Sequence, residues 1–184
     1  ASRLAIAESL TNLLSAVPDD LGQTKLSANW MADAGSAGQD AALYAAVEAA
    51  SRLCIELGIS IPVGKDSLSM RARWQGDDGQ RVEVGSPVSL IVTAHAPVSD
   101  VRRALTPEIS PEMQTSFILV DLGAGKQRLG GSALAQITGR DGDPVPDLDD
   151  PQLLVKLWQA VREAQAEGLL RSEEHTSELQ SPAM

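Results

Sequence analysis

The sequence predicts an α/β protein of the α+β kind, and three observations carry that reading. Apolar residues recur at helical spacing over residues 2–16, 40–57 and 153–166. Strand-like pieces lie between the last two of these: Ile59, Ile61 and Val63 lead into period-two alternation through Leu68, Met70 and Ala72, and Ser86 to Ala96 is the longest β-like run. The third observation is a junction. Gly58 ends a helix, the next strand breaks at Gly64, and Lys65, Asp66 and Ser67 follow at once. A cation, an oxygen ligand and a hydroxyl behind a glycine are how an α/β protein presents chemistry at a strand end. The local pattern alone leaves a β-bulge or tight turn with solvated polar side chains as the alternative.

Each element has a local cause. Residues 2–16 place Leu4, Leu10, Leu13 and Leu14 on one stripe of a helix that has no cap before it. Pro18 to Gly22 reads as a loop and Lys25 to Trp30 as a short strand. Gly35 to Gly38 is a turn, after which Asp40 is expected to cap a helix reaching Leu57, with Leu43, Val47, Ala50, Leu53, Cys54 and Leu57 on its buried side. Gly76-Asp77-Asp78-Gly79 is a hairpin signal between residues 70–74 and 81–84. Ser86 to Ala96 is expected to be a central strand, with His95 near its end in a structural role. Residues 99–112 look like a boundary: Asp100 caps a short helix, and Thr106-Pro107 to Ser110-Pro111 is proline-punctuated. Phe117 to Leu122 is then expected as a buried strand, and Leu129-Gly130-Gly131-Ser132 opens a helix at Ala133–Ile137, where free N–H groups make an anion site plausible. Residues 139–149 form an acidic loop. Asp150-Pro151 starts the last helix, whose apolar side holds Leu154, Leu157, Trp158 and Val161.

Composition narrows the function classes. A net charge of −10 argues against non-specific nucleic-acid binding, though not against nucleotides held by backbone N–H groups and metal ions. Cys54 is the only cysteine, so no internal disulfide can form, and a reducing, cytoplasmic setting is the default. Its apolar helical surroundings suggest a packed thiol. No apolar run is long enough to suggest a membrane span. Both ends look cut: Ala1 begins inside a helix, and residues 171–184 resemble translated sequencing-adapter read-through, so His175 is given no functional weight.

Glu8 and Asn12 stand at i and i+4, which puts both side chains on one helix face a turn apart. One charged and one neutral hard oxygen suit Mg²⁺. The alternative at this level is a solvated polar face.

Taken jointly, Arg3-Leu4-Ala5 with Glu8-Ser-Leu-Thr-Asn12, Lys25 to Trp30, Ile61 to Met70, Ser86 to Leu90 and Leu129 to Ser132 closely resemble the formylglycinamidine ribonucleotide synthetase (phosphoribosylformylglycinamidine synthase) family in its large single-chain bacterial form. The resemblance covers about residues 1–170. It implies an aminoimidazole-ribonucleotide-synthetase-like fold with a mixed sheet. Residues 1–106 would be part of a first subdomain of the second synthetase half, residues 107–170 the start of a second, and residues 171–184 a non-native tail. It implies an ATP- and glutamine-dependent ligase of purine biosynthesis. That enzyme converts formylglycinamide ribonucleotide to formylglycinamidine ribonucleotide by activating an amide oxygen through phosphoryl transfer and letting ammonia displace phosphate.

The implied cofactors are Mg²⁺ and ATP/ADP, with Glu8 and Asn12 as Mg²⁺ ligands and Gly64, Lys65, Asp66 and Ser67 lining the same nucleotide cleft. Two further Asp ligands, and the glutaminase domain that releases ammonia, would lie outside this chain. Formylglycinamide ribonucleotide and glutamine would be partners of a monomeric parent enzyme, with no nucleic acid or membrane involved. A half that holds its nucleotide structurally, without turnover of its own, is the alternative within the family; an unrelated α/β small-molecule binder is the alternative outside it. The chain alone is expected to be inactive and poorly soluble.

Overall fold

Ile6, Leu10 and Leu14 recur every fourth residue and are buried along one stripe, and this stripe makes Ser2–Leu14 an amphipathic helix, α1. The computed structural model describes residues 1–109, 115–140 and 142–172 of the chain. Strand β1, Lys25–Met31, follows, then helix α2, Gln39–Leu57, and strand β2, Ser60–Ser67. β1, α2 and β2 form a parallel βαβ unit. Gly58, at φ +69°, closes α2 in a Schellman arrangement: its own N–H reaches Ile55 and the Ile59 N–H reaches Cys54. Strands β3, Arg71–Gln75, and β4, Arg81–Gly85, form the hairpin expected around Gly76 to Gly79. Strand β5, Ser89–His95, returns antiparallel to β1. The sheet order β2-β1-β5 therefore makes a mixed sheet.

Helices cover one face of that sheet. α1 packs on β5 and α2, and α2 packs on β2. Leu26 and Ala28 of β1 point toward them and are buried, whereas Val63 and Ile91, on the opposite face by register, are more than half exposed. Two short 3-10 turns, Leu21–Gln23 and Val101–Arg103, the second capped by Asp100, and two further α-helices, α3 (Ala133–Ile137) and α4 (Pro151–Ala166), complete the described elements. Asp150 caps α4 by accepting from the Gln152 N–H at 2.9 Å, with Pro151 at the first helical position. Leu154 and Trp158 of α4, with Leu148 just before it, join Ile6, Leu10, Leu53 and Leu57 in one core.

Charge ties the loops before α4 to this core. Arg3 on α1 donates to Asp147, Arg128 to Asp149 and to the Asp147 carbonyl, and Lys126 to Asp149. Among the described residues no helix is long and apolar enough to cross a membrane.

Several sequence expectations are corrected. Ser86 to Ala96 does not supply the central strand: β1 takes that place and β5 lies at an edge. β2 does not break at Gly64 but runs through it in register with Ala28. The irregularity falls earlier, where Ser60 to Val63 advances three residues against two on β1; Pro62, which lacks an N–H, lies inside it. The alternation past Gly64 also stops, with β2 ending at Ser67. Asp40 is not the cap of α2. Gly38 takes that place in the left-handed region, and Asp40 accepts from the Gly35 N–H inside the first turn. Val47 is 42% exposed rather than buried. Phe117 to Leu122 is not a buried strand: Phe117, Ile118 and Leu119 are over 80% exposed, and only Leu122 leans on the core. An apolar run stays a strand only if a neighbour accepts its backbone, and no described strand lies beside it. Ser110, Pro111 and His175 lie outside the described residues.

Candidate functional site

Glu8 is half-buried and Asn12 exposed on α1, one turn apart on the side away from the fully buried Ile6 and Leu10. Gly64 to Ser67 fill the C-terminal half of β2. There Lys65 Nζ donates to Ser67 Oγ at 2.9 Å. Asp66 pairs in register with Trp30, and a side chain added to Gly64 would meet the Trp30 ring at 3.7 Å, an ordinary contact. The structure thus unites Lys65 with Ser67 and sets Glu8 one turn from Asn12. The two groups sit on different elements: α1 lies over β5, and β1 separates β5 from β2.

Where β1 ends, the structure holds a polar cluster that sequence reading missed. Asp33, only 8% exposed at its side chain, receives Arg71 Nε at 2.8 and 2.9 Å on its two oxygens and Ser36 Oγ at 2.7 Å. Arg71 also donates to Ser36 and pairs with Glu83 at 2.9 Å, and Arg73 reaches the same carboxylate at 2.6 Å. The Arg71 guanidinium first, and the Ser36 hydroxyl second, hold the Asp33 carboxyl below the usual carboxylate range. Backbone bonds seal the junction: Ala32 N–H to Ser67 O at 3.0 Å and Ala34 N–H to Leu68 O at 2.9 Å. The cluster thereby fixes the end of β2 that carries Lys65 to Ser67. Half of it was legible, because a turn centred on Gly76 to Gly79 places Arg73 opposite Glu83. Asp33 and Arg71 are 38 residues apart, and no local signal joins them.

The glycine segments after residue 120 offer no open anion site. Ser132 is buried and accepts from the Ala135 N–H, capping α3, which is only five residues long. A side chain on Gly130 would overlap the Asp143 carbonyl. Further back, the N–H groups of Gly123 and Gly125 both donate to Asp121 at 2.7 Å, so this loop binds the chain's own carboxylate. Cys54 is buried, and burial pushes its thiol up, as a packed rather than nucleophilic cysteine requires.

A mixed sheet covered by helices on one face, with polar groups at the ends of its parallel strands, defines an aminoimidazole-ribonucleotide-synthetase-like α/β domain. The family model described as the FGAR-AT PurM_N-like domain matches residues 1–97, and the chain belongs to that family. Membership relates it to the ATP-utilising FGAR-AT and PurM-type enzymes, with purine biosynthesis and ligase chemistry as the common themes.

Among the described residues no three His, Cys, Asp or Glu side chains group to hold an ion. Glu8 and Asn12 supply two hard oxygens on one helix face, a partial shell of the kind Mg²⁺ completes with water and phosphate oxygens. The pair fits such an ion as part of its coordination.

Proposed function

We propose that this chain is part of an ATP- and glutamine-dependent ligase that converts formylglycinamide ribonucleotide to formylglycinamidine ribonucleotide, and that α1 is where it meets Mg²⁺ and nucleotide. One observation carries the reading. The acid and the amide expected as Mg²⁺ ligands stand one turn apart on the outward side of α1, inside the segment matched by the family. Glu8 and Asn12 would each give one oxygen to the ion. The bound ion would supply charge neutralisation for the phosphates. Lys65 and Ser67, already joined to each other, would add a cation and a hydroxyl from β2. Gly64 and Asp66 belong to the same proposed lining. ATP or ADP, formylglycinamide ribonucleotide and glutamine are the proposed partners of the whole, cytoplasmic enzyme.

A second reading keeps the nucleotide but gives it a structural task. The position of α1 favours it: Ile6, Leu10 and Leu14 lie in the core and Arg3 is tied to Asp147, so a ligand on this helix also braces the fold. Glu8→Ala in the whole enzyme separates the two. Lost turnover with an unchanged unfolding midpoint supports the catalytic site. A lowered midpoint and loss of co-purifying ADP, with normal turnover per folded molecule, supports the structural one. Unchanged turnover, nucleotide content and midpoint would rule out both.

A further inference from the structure

Asn29 Oδ1 is enclosed and receives no hydrogen bond among the described residues. An acceptor shut away from water without a donor destabilises the fold until something supplies that donor. The register of the sheet places this residue. Asn29 pairs with Lys65 on β2 and with Ile91 on β5, whereas Trp30, next along, pairs with Asp66 and Leu90. Trp30 and Leu90 pack on the helical core, so Asn29, Lys65 and Ile91 share the opposite, open face. Ser67, two residues beyond Lys65, is on that face too and accepts from Lys65 Nζ at 2.9 Å. Lys65 and Ile91 are both exposed, so the face is open on either side of the amide.

The charge of this face is unlike that of the chain. β1, β2 and β5 contain one acid, Asp66, and its register with Trp30 puts it on the helical side. The open face carries Lys25 and Lys65 and no acid, in a chain of net charge −10. An anion therefore meets cations there and no like charge. The place in the fold agrees. β1 and β2 are the parallel strands, and Asn29 and Lys65 lie near their carboxyl ends. Open α/β sheets take ligands outside those ends, where neighbouring connections diverge; β1 has β2 parallel on one side and β5 antiparallel on the other.

We infer that Asn29 is a ligand-binding residue and that, with Lys65 and Ser67, it takes a phosphorylated ribose. The Lys65 ammonium meets the phosphate, and Ser67 Oγ keeps that ammonium in place. Asn29 Oδ1 accepts from a ribose hydroxyl, the donor that it lacks. A bare carboxylate would satisfy Lys65 and leave Asn29 without a donor; a neutral sugar would leave the cation without an anion. Two sources offer the group, ADP or ATP on one hand and formylglycinamide ribonucleotide on the other. The inference rests on the proposed function in one respect, that Lys65 and Ser67 meet a ligand. It needs neither Glu8 nor a metal ion.

Equilibrium dialysis of ADP, and separately of formylglycinamide ribonucleotide, against the whole enzyme tests it. Asn29→Val removes the acceptor and Lys65→Met the cation. Each should weaken at least one of the two ligands, the same one, by about tenfold or more, and the ligand weakened identifies the source. Asn29→Val also takes an undonated acceptor out of a strand, so its unfolding midpoint should be no lower than that of the wild type. Should that variant fail to fold, Asn29→Asp keeps the shape, engages Lys65 internally and should show the same loss. Asn29 variants that bind both ligands as tightly as the wild type would overturn the inference, and so would a loss confined to Lys65→Met. A wild-type enzyme that binds ADP but never turns formylglycinamide ribonucleotide over, with ADP weakened by both variants, would sink the ligase reading and leave this one standing. A wild type that binds neither ligand would overturn both.

Discussion

Asp33 shows most clearly what a single residue does here. Its carboxylate is nearly enclosed and is held below the usual range by Arg71 and then Ser36. A depressed acid contributes stability above the unfolded chain's ordinary value of about 3.9, and that contribution is lost as pH falls through the folded value. Urea midpoints should therefore drop between about pH 5 and pH 3. Asp33→Asn should start lower at neutral pH and fall less steeply, because Asp100 and Asp149, shifted in the same direction, still titrate. Gly85 is the steric counterpart. A methyl there would stand 2.3 Å from an Asp33 oxygen that Arg71 and Ser36 do not let move, so Gly85→Ala should cost about 1–3 kcal/mol in denaturant unfolding. Neither residue drew notice in the sequence, since the partner of each is brought to it only by the fold. Glu8 and Asn12 did, because helical spacing alone sets them a turn apart.

Helices were more legible than strands. α4 begins where Asp150-Pro151 says it should, and removing the cap tests that cause: Asp150→Ala should lower stability by about 1 kcal/mol, read from the same unfolding curves. Deeper in α4, Trp158 is 1% exposed, and Trp158→Ala should cost about 3–5 kcal/mol, enough to threaten folding. A helix end is written in its caps, and Gly58 and Asp150 are caps. A strand's place in a sheet depends on neighbours far along the chain. That is why the apolar run Ser86 to Ala96 reads as central while the more polar β1, flanked by β2 and β5, is the strand at the centre. Phe117 to Leu122 misled for the same reason: its composition says strand, and pairing decides.

At the scale of the molecule, one core joins α1, α2 and α4 above the sheet, and α1 is common to that core and to the proposed ligand face. Family membership over residues 1–97 gives the class of enzyme; the acid–amide pair on α1 is where the proposal becomes chemical. Equilibrium dialysis of ADP against the whole enzyme across a Mg²⁺ series tests that pair most directly. Binding should strengthen as Mg²⁺ rises, and Glu8→Ala and Asn12→Ala should each weaken the Mg²⁺-dependent part by at least about tenfold, the scale that even indirect metal partners carry. ADP binding that ignores Mg²⁺, or that both substitutions leave unchanged, would contradict the account.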